Sequence, residues 1–235
     1  MSGFIVLLIT VTAHSQVFVE TYPPSGTTDM GVRVSGVQNL SDRLSYERIS
    51  GSPFWRDEWQ LASLYGANER EKWLCRVKLN LATGELYYLD KDERELVTED
   101  GLIRKIIFHK SDDTSIATAL FMLNPQPVRL NQEMRHTYLQ VLNEGAYQLL
   151  KLNEKTLGSA DSLFGTLKRY FFKDESIYYI NHEQALNTLK KLDRDNLLQF
   201  LPGSSGYNEW IKQNRINFKK EDDVLRFVNY YNSKK

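Results

Sequence analysis

The 235-residue sequence contains one cysteine, Cys75. A single thiol closes no internal disulfide, so no disulfide framework can hold this fold. Net charge is missing too: 30 Lys and Arg balance 30 Asp and Glu. That balance argues against binding nucleic acid through bulk electrostatics. No apolar run reaches the roughly 20 residues of a membrane-spanning helix, so the mature chain is expected to carry no membrane span. His109, His136 and His182 stand far apart, and none lies three or four residues from another His or Cys, so the spacing of a zinc site is lacking. Neither standard Gly-rich phosphate loop nor a Gly-x-Ser-x-Gly elbow occurs; "GSSG" at 203–206 reads as a linker. "DKDERE" lacks the Gly and closing Glu of a calcium loop. These patterns assign no catalytic residue, metal site or cofactor.

What is present begins with "FIVLLITVTA" at residues 4–13. This run is too short to span a bilayer but matches the apolar core of a secretory signal peptide. Ala13-His14-Ser15 supplies a small-x-small cleavage site, which puts a mature start at Gln16, although no basic residue precedes the run. Residues 1–15 are therefore read as a signal peptide and the protein as exported, to the periplasm or beyond. Residues 16–45 carry Pro23-Pro24-Ser25-Gly26, Gly31 and Gly36, which mark an irregular lead-in with room for a short strand at 32–37.

The sequence predicts an antiparallel β domain over 46–191. In "KWLCRVKLN", Trp73, Cys75, Val77 and Leu79 alternate with Lys72, Leu74, Arg76 and Lys78. This is the period of a half-buried strand, with Cys75 on its apolar face. "ELYYLD", "RELVTE", "IRKIIFHK" and "TALFMLN" continue the meander. "TYLQVLNEGAYQLLKLNEK" reads as a hairpin turning at Asn143-Glu144-Gly145, with Leu139 and Val141 facing Tyr147 and Leu149. After a Gly158-to-Gly165 stretch, "RYFFKDESIYYI" reads as two aromatic strands around a Lys-Asp-Glu-Ser turn, and "ALNTLK" as a further strand. Residues 192–235 change period. Leu192, Leu197, Leu198 and Leu201 make one helical stripe, and Trp210 and Ile211 lie in a second segment. Val224, Phe227, Val228 and Tyr231 follow i, i+3, i+4, i+7. Glu221, Asp222 and Asp223 fall in that helix's first turn and Lys234 and Lys235 at its end, as the helix dipole favours. The fold class is α+β: a mainly antiparallel meander or partly open barrel with a C-terminal helical segment packed on it.

Exposed aromatics are the best ligand candidates. Trp55 and Trp59 sit in "GSPFWRDEW", and Tyr87 and Tyr88 in "ELYYLD". Either pair could offer sugars a platform. Tyr230 and Tyr231 are candidates for a partner contact on the last helix. His109 has Asp112 and Asp113 nearby, but reads as a strand end beside its polar turn. From residue 46 to the end, the "GSPF" element, the paired aromatic hairpins and the helical Asn-Tyr-Tyr-Asn-Ser at 229–233 resemble a group of uncharacterised exported proteins of Bacteroidota. That resemblance implies origin and location and assigns no functional residue. The expectation is a non-enzymatic exported protein that binds or assembles at the cell envelope, with a protein or glycan partner. The alternatives are a carbohydrate-binding or carbohydrate-active protein and a hydrolase whose site is built from distant residues.

Overall fold

The computed structural model describes residues 49–67, 71–111, 113–130, 133–161 and 168–235. The expected signal peptide, lead-in and short strand at 32–37 lie outside the described residues. Among the described residues, thirteen strands run in chain order: β1 Ile49–Ser50, β2 Gln60–Tyr65, β3 Lys72–Leu79, β4 Leu86–Leu89, β5 Glu95–Val97, β6 Lys105–Lys110, β7 Asp113–Leu123, β8 Val128–Leu130, β9 Glu133–Arg135, β10 Tyr138–Val141, β11 Tyr147–Asp161, β12 Lys168–His182 and β13 Ala185–Leu189. Helices α1 Arg194–Leu198, α2 Asn208–Gln213 and α3 Glu221–Asn232 follow, with a 3₁₀ turn at Ser204–Tyr207. One sheet runs β1-β12-β11-β10-β7-β6-β2-β3-β4-β5, with β13 also on β12, and β8 and β9 pair separately. Its pairings are antiparallel except that of β1 with β12. The sheet curls until the Lys155 amide on β11 donates to the Leu81 carbonyl beyond β3 at 3.4 Å, yet it does not close into a barrel.

The alternation in β3 is realised: Trp73, Cys75, Val77 and Leu79 are buried. They pack with Ala62, Leu64, Leu86, Tyr88, Ile106, Phe108 and Phe121 inside the curl. The acid-rich turn after β4 is a self-capped loop. Asp90 accepts from the amides of Asp92 and Arg94 at 2.9 Å each and from Arg94 Nε at 2.7 Å. Burial pushes the Asp90 carboxyl up, but these donors outweigh it and hold the group below its ordinary value.

Two readings of the β11–β12 region are corrected. "RYFFKDESIYYI" is one strand, not a hairpin: β12 pairs with β11 without interruption from Lys168 to His182. Its polar centre is satisfied by cross-strand partners, Lys155 Nζ lying 2.5 Å from Asp174, so no turn is needed there. Opposite Phe171 on this ladder is Gly158. A Cβ on that glycine would fall 2.8 Å from the Phe171 ring, so the aromatic ring occupies the space the glycine leaves. The β10–β11 hairpin exists, but Val141 opposes Leu150 and Leu139 opposes Leu152. A three-residue turn would instead have placed Tyr147 opposite Val141. The odd shift sends Tyr147 and Leu149 to the other sheet face. Asn143 causes it, its side chain donating to the Tyr147 carbonyl at 3.1 Å and accepting from the Leu149 amide at 2.7 Å.

The flipped face is what the helices cover. Tyr147, Leu149 and Ile180 join Leu197, Leu201, Ile211, Phe218, Val224, Phe227, Val228 and Tyr231 in one cluster. Two polar contacts fix the register of α3. At its end, Asn232 imitates a strand residue, accepting from the Tyr147 amide at 3.0 Å and donating to the Tyr147 carbonyl at 2.8 Å. Gly145, at φ 125°, makes room for it, since a Cβ there would lie 2.6 Å from Asn232 Nδ2. Asn232→Asp turns the donor into an oxygen facing a carbonyl. It is expected to cost about 0.5–1.5 kcal/mol in chemical denaturation, the net worth of one hydrogen bond, since the Tyr147 carbonyl keeps its bond from Asn143. At the start of α3, Glu221 accepts from Lys151 Nζ at 2.7 Å and from the Tyr178 hydroxyl at 2.6 Å. Burial pushes its carboxyl up, but the Lys151 and Tyr178 donors outweigh that and hold it below its ordinary value. A depressed carboxyl stabilises the fold above the unfolded-state pKa of about 4.3 and loses that effect as pH falls through the folded value. The melting temperature of Glu221→Gln should therefore lie below wild type at pH 7 and converge on it toward pH 3.

Candidate functional site

The loop between β1 and β2 is tied to the end of β3. Trp55 N donates to the Leu79 carbonyl at 2.9 Å and Leu81 N to the Pro53 carbonyl at 2.8 Å. This folds Trp55 inward, with its ring 4.6 Å from Phe108 and 5.0 Å from Phe121. Arg56 caps the indole at 4.5 Å and donates to Gln60 Oε1 at 3.2 Å. Trp59, four residues on, is half-buried and stays at the surface. It lines a shallow cleft of about 210 Å3 together with Gln60, Leu61, Arg76 and Ser111. Lys78 Nζ lies 5.0 Å from the Trp59 ring and 5.3 Å from that of Phe54. Leu61 and Arg76 oppose each other across β2 and β3, and Ser111, at φ 51°, sits in the tight β6–β7 turn.

Beside this cleft, within the sheet, His109 Nε2 lies 2.9 Å from Ser63 Oγ. The pair does not line the cleft: Ser63 is 4% exposed and His109 5%. The β6–β7 register shifts on both sides of His109, and such bulges re-aim side chains. His109 Nδ1 is buried with no hydrogen-bond partner among the described residues. An orphaned N–H costs more than an under-satisfied acceptor, so the ring is best satisfied with its proton on Nε2, donated to Ser63. Burial first and the Lys72 charge second push the His109 pKa below its ordinary value, with Asp113 opposing. The ring is thus neutral at pH 7. Ser63→Ala removes its single bond and is expected to destabilise by about 1–3 kcal/mol, measured by urea denaturation.

Of the sequence candidates, Trp59 is brought to a concave surface. Tyr87 and Tyr88 are buried, 2% and 1% exposed, which corrects their reading as exposed aromatics. Tyr88 belongs to the core inside the curl. Tyr87 points the other way, where Phe54 covers it edge-on at 5.8 Å and its hydroxyl donates to Glu85 at 3.0 Å. Tyr231 is fully buried and donates to the Pro202 carbonyl at 2.7 Å, so it offers no partner contact. Tyr230 is half-buried and stacked on Trp210 at 4.0 Å and 6°. The cleft residues Gln60, Arg76 and Ser111 and the Ser63–His109 pair escaped sequence reading because only the β2–β3 and β2–β6 registers bring them together. Burial pushes the Cys75 thiol up to about 12, so it is no nucleophile at neutral pH. Among the described residues no group of three His, Cys, Asp or Glu is placed to hold a metal ion, and no helix is long and apolar enough to cross a membrane.

This arrangement can hold a small ligand against an indole, a guanidinium and neutral hydrogen-bonding groups. No protein-family model, curated protein or solved structure matches the chain.

Proposed function

We propose that this is an exported, non-enzymatic protein with a binding or assembly role at the cell envelope, and that the Trp59 cleft is its ligand contact. The cleft carries the reading: it places an accessible indole beside the polar groups of Gln60, Arg76 and Ser111. A binding role also suits the neighbouring pair. The Ser63 hydroxyl is buried, and among the described residues no carboxylate bonds the His109 ring to orient it as a general base. Export rests on the apolar run before Ala13-His14-Ser15.

Cell fractionation with N-terminal sequencing tests the location. The expected result is a chain starting at Gln16 outside the cytoplasm; a chain starting at Met1 in the cytoplasm overturns it. A panel of chromogenic esters and glycosides tests the role. Turnover that is lost in Ser63→Ala would favour a hydrolase instead.

A further inference from the structure

We infer that the Trp59 cleft takes the terminal unit of an acidic glycan, a pyranose ring bearing a carboxylate. This rests on the binding reading above and names its ligand. The volume of about 210 Å3 falls below the roughly 300–1,000 Å3 of sites for drug-sized molecules, so one ring fits. An indole face packs against the apolar C–H face of a sugar. Gln60 and Ser111 supply amide and hydroxyl groups that both donate and accept, as ring hydroxyls require. The negative charge is called for by Arg76 in the cleft wall, with Lys78 over the Trp59 ring and Arg56 over Trp55 adding positive charge outside the lining. A guanidinium has five donors, so Arg76 can keep a partner within the protein and still offer two parallel bonds to a carboxylate. Asp57 and Glu58 share the loop and are exposed; their charge opposes an anion there, so the Arg76 bonds must outweigh it.

Affinity electrophoresis in gels containing polygalacturonate, alginate, or the neutral polymers pullulan and galactan tests this at about 0.15 M salt, where long-range attraction is screened. Retention is expected in the two uronate gels and not in the neutral ones. It should fall at least about tenfold in Trp59→Ala and Arg76→Gln, each checked for a near wild-type melting temperature. Equal retention in neutral and acidic gels overturns the acidic ligand while leaving a binding protein. Uronate retention that both variants keep overturns the cleft as the site. Absence of retention in every gel overturns the glycan. Release of reducing ends from the uronates would instead overturn the non-enzymatic reading and spare the ligand.

Discussion

Phe227→Ala is expected to lower stability by about 3–5 kcal/mol in urea denaturation, the cost of emptying a fully packed aromatic site. Phe227 has no solvent exposure. Its ring meets Phe218 at 5.5 Å, Trp210 at 6.1 Å, and Tyr207 and Tyr231 at 6.5 Å each. It therefore joins α3 to α2 and the 3₁₀ turn, on the sheet face bearing Leu149 and Ile180. These short helices have few hydrogen bonds of their own and depend on tertiary burial to form. Removing the ring should uncouple them from the sheet as a group and remove part of the near-UV signal of Trp210 and Tyr207. Tyr230→Ala, one turn further along α3, loses mainly the stack on Trp210 and should cost about 0.5–1.5 kcal/mol. A loss under about 1 kcal/mol for Phe227→Ala would show that the helices do not depend on this ring.

The contrast between these neighbours shows what the sequence makes legible. In α3 and in β3 one face is buried and the other wet, so the apolar period reports structure directly: Val224, Phe227, Val228 and Tyr231 are buried, as are Trp73, Cys75, Val77 and Leu79. The signal fails where both faces are covered. Tyr87 and Tyr88 are adjacent in β4 and point oppositely, yet both are buried because Phe54 covers the outer one. It also fails where one side chain takes a backbone role. Asn143 and Asn232 each bond main-chain groups of the β10–β11 hairpin, and only the folded register shows why the first sets the strand pairing. The Lys-Asp-Glu-Ser run of β12 has turn composition, and its strand state is decided by β11 alone. The candidate site had one legible residue, Trp59, since Arg76 and Ser111 reach it from strands and turns distant in sequence.

Trp55→Ala and Trp59→Ala, four positions apart in one loop, are expected to behave oppositely. Trp55→Ala should cost about 3 kcal/mol, the lower end for a large aromatic because the ring is half-buried. It withdraws the plug from Phe108 and Phe121 and leaves Arg56 without its indole. The loop around it holds the edge of β3 through the Trp55 and Leu81 amides, so the variant should also melt less cooperatively. Trp59→Ala loses its approach to Lys78 and a cleft wall, which should cost under about 1 kcal/mol. Its effect should instead appear in ligand binding. Parallel urea denaturation of the two variants tests the division. Equal losses would mean that the whole loop is structural and Trp59 no ligand platform. A stable Trp55→Ala protein would mean that the curl of the sheet is held without its aromatic plug. The division follows from geometry: the main-chain bonds to Leu79 and Leu81 turn one indole into the core, and the start of β2 holds the other at the surface.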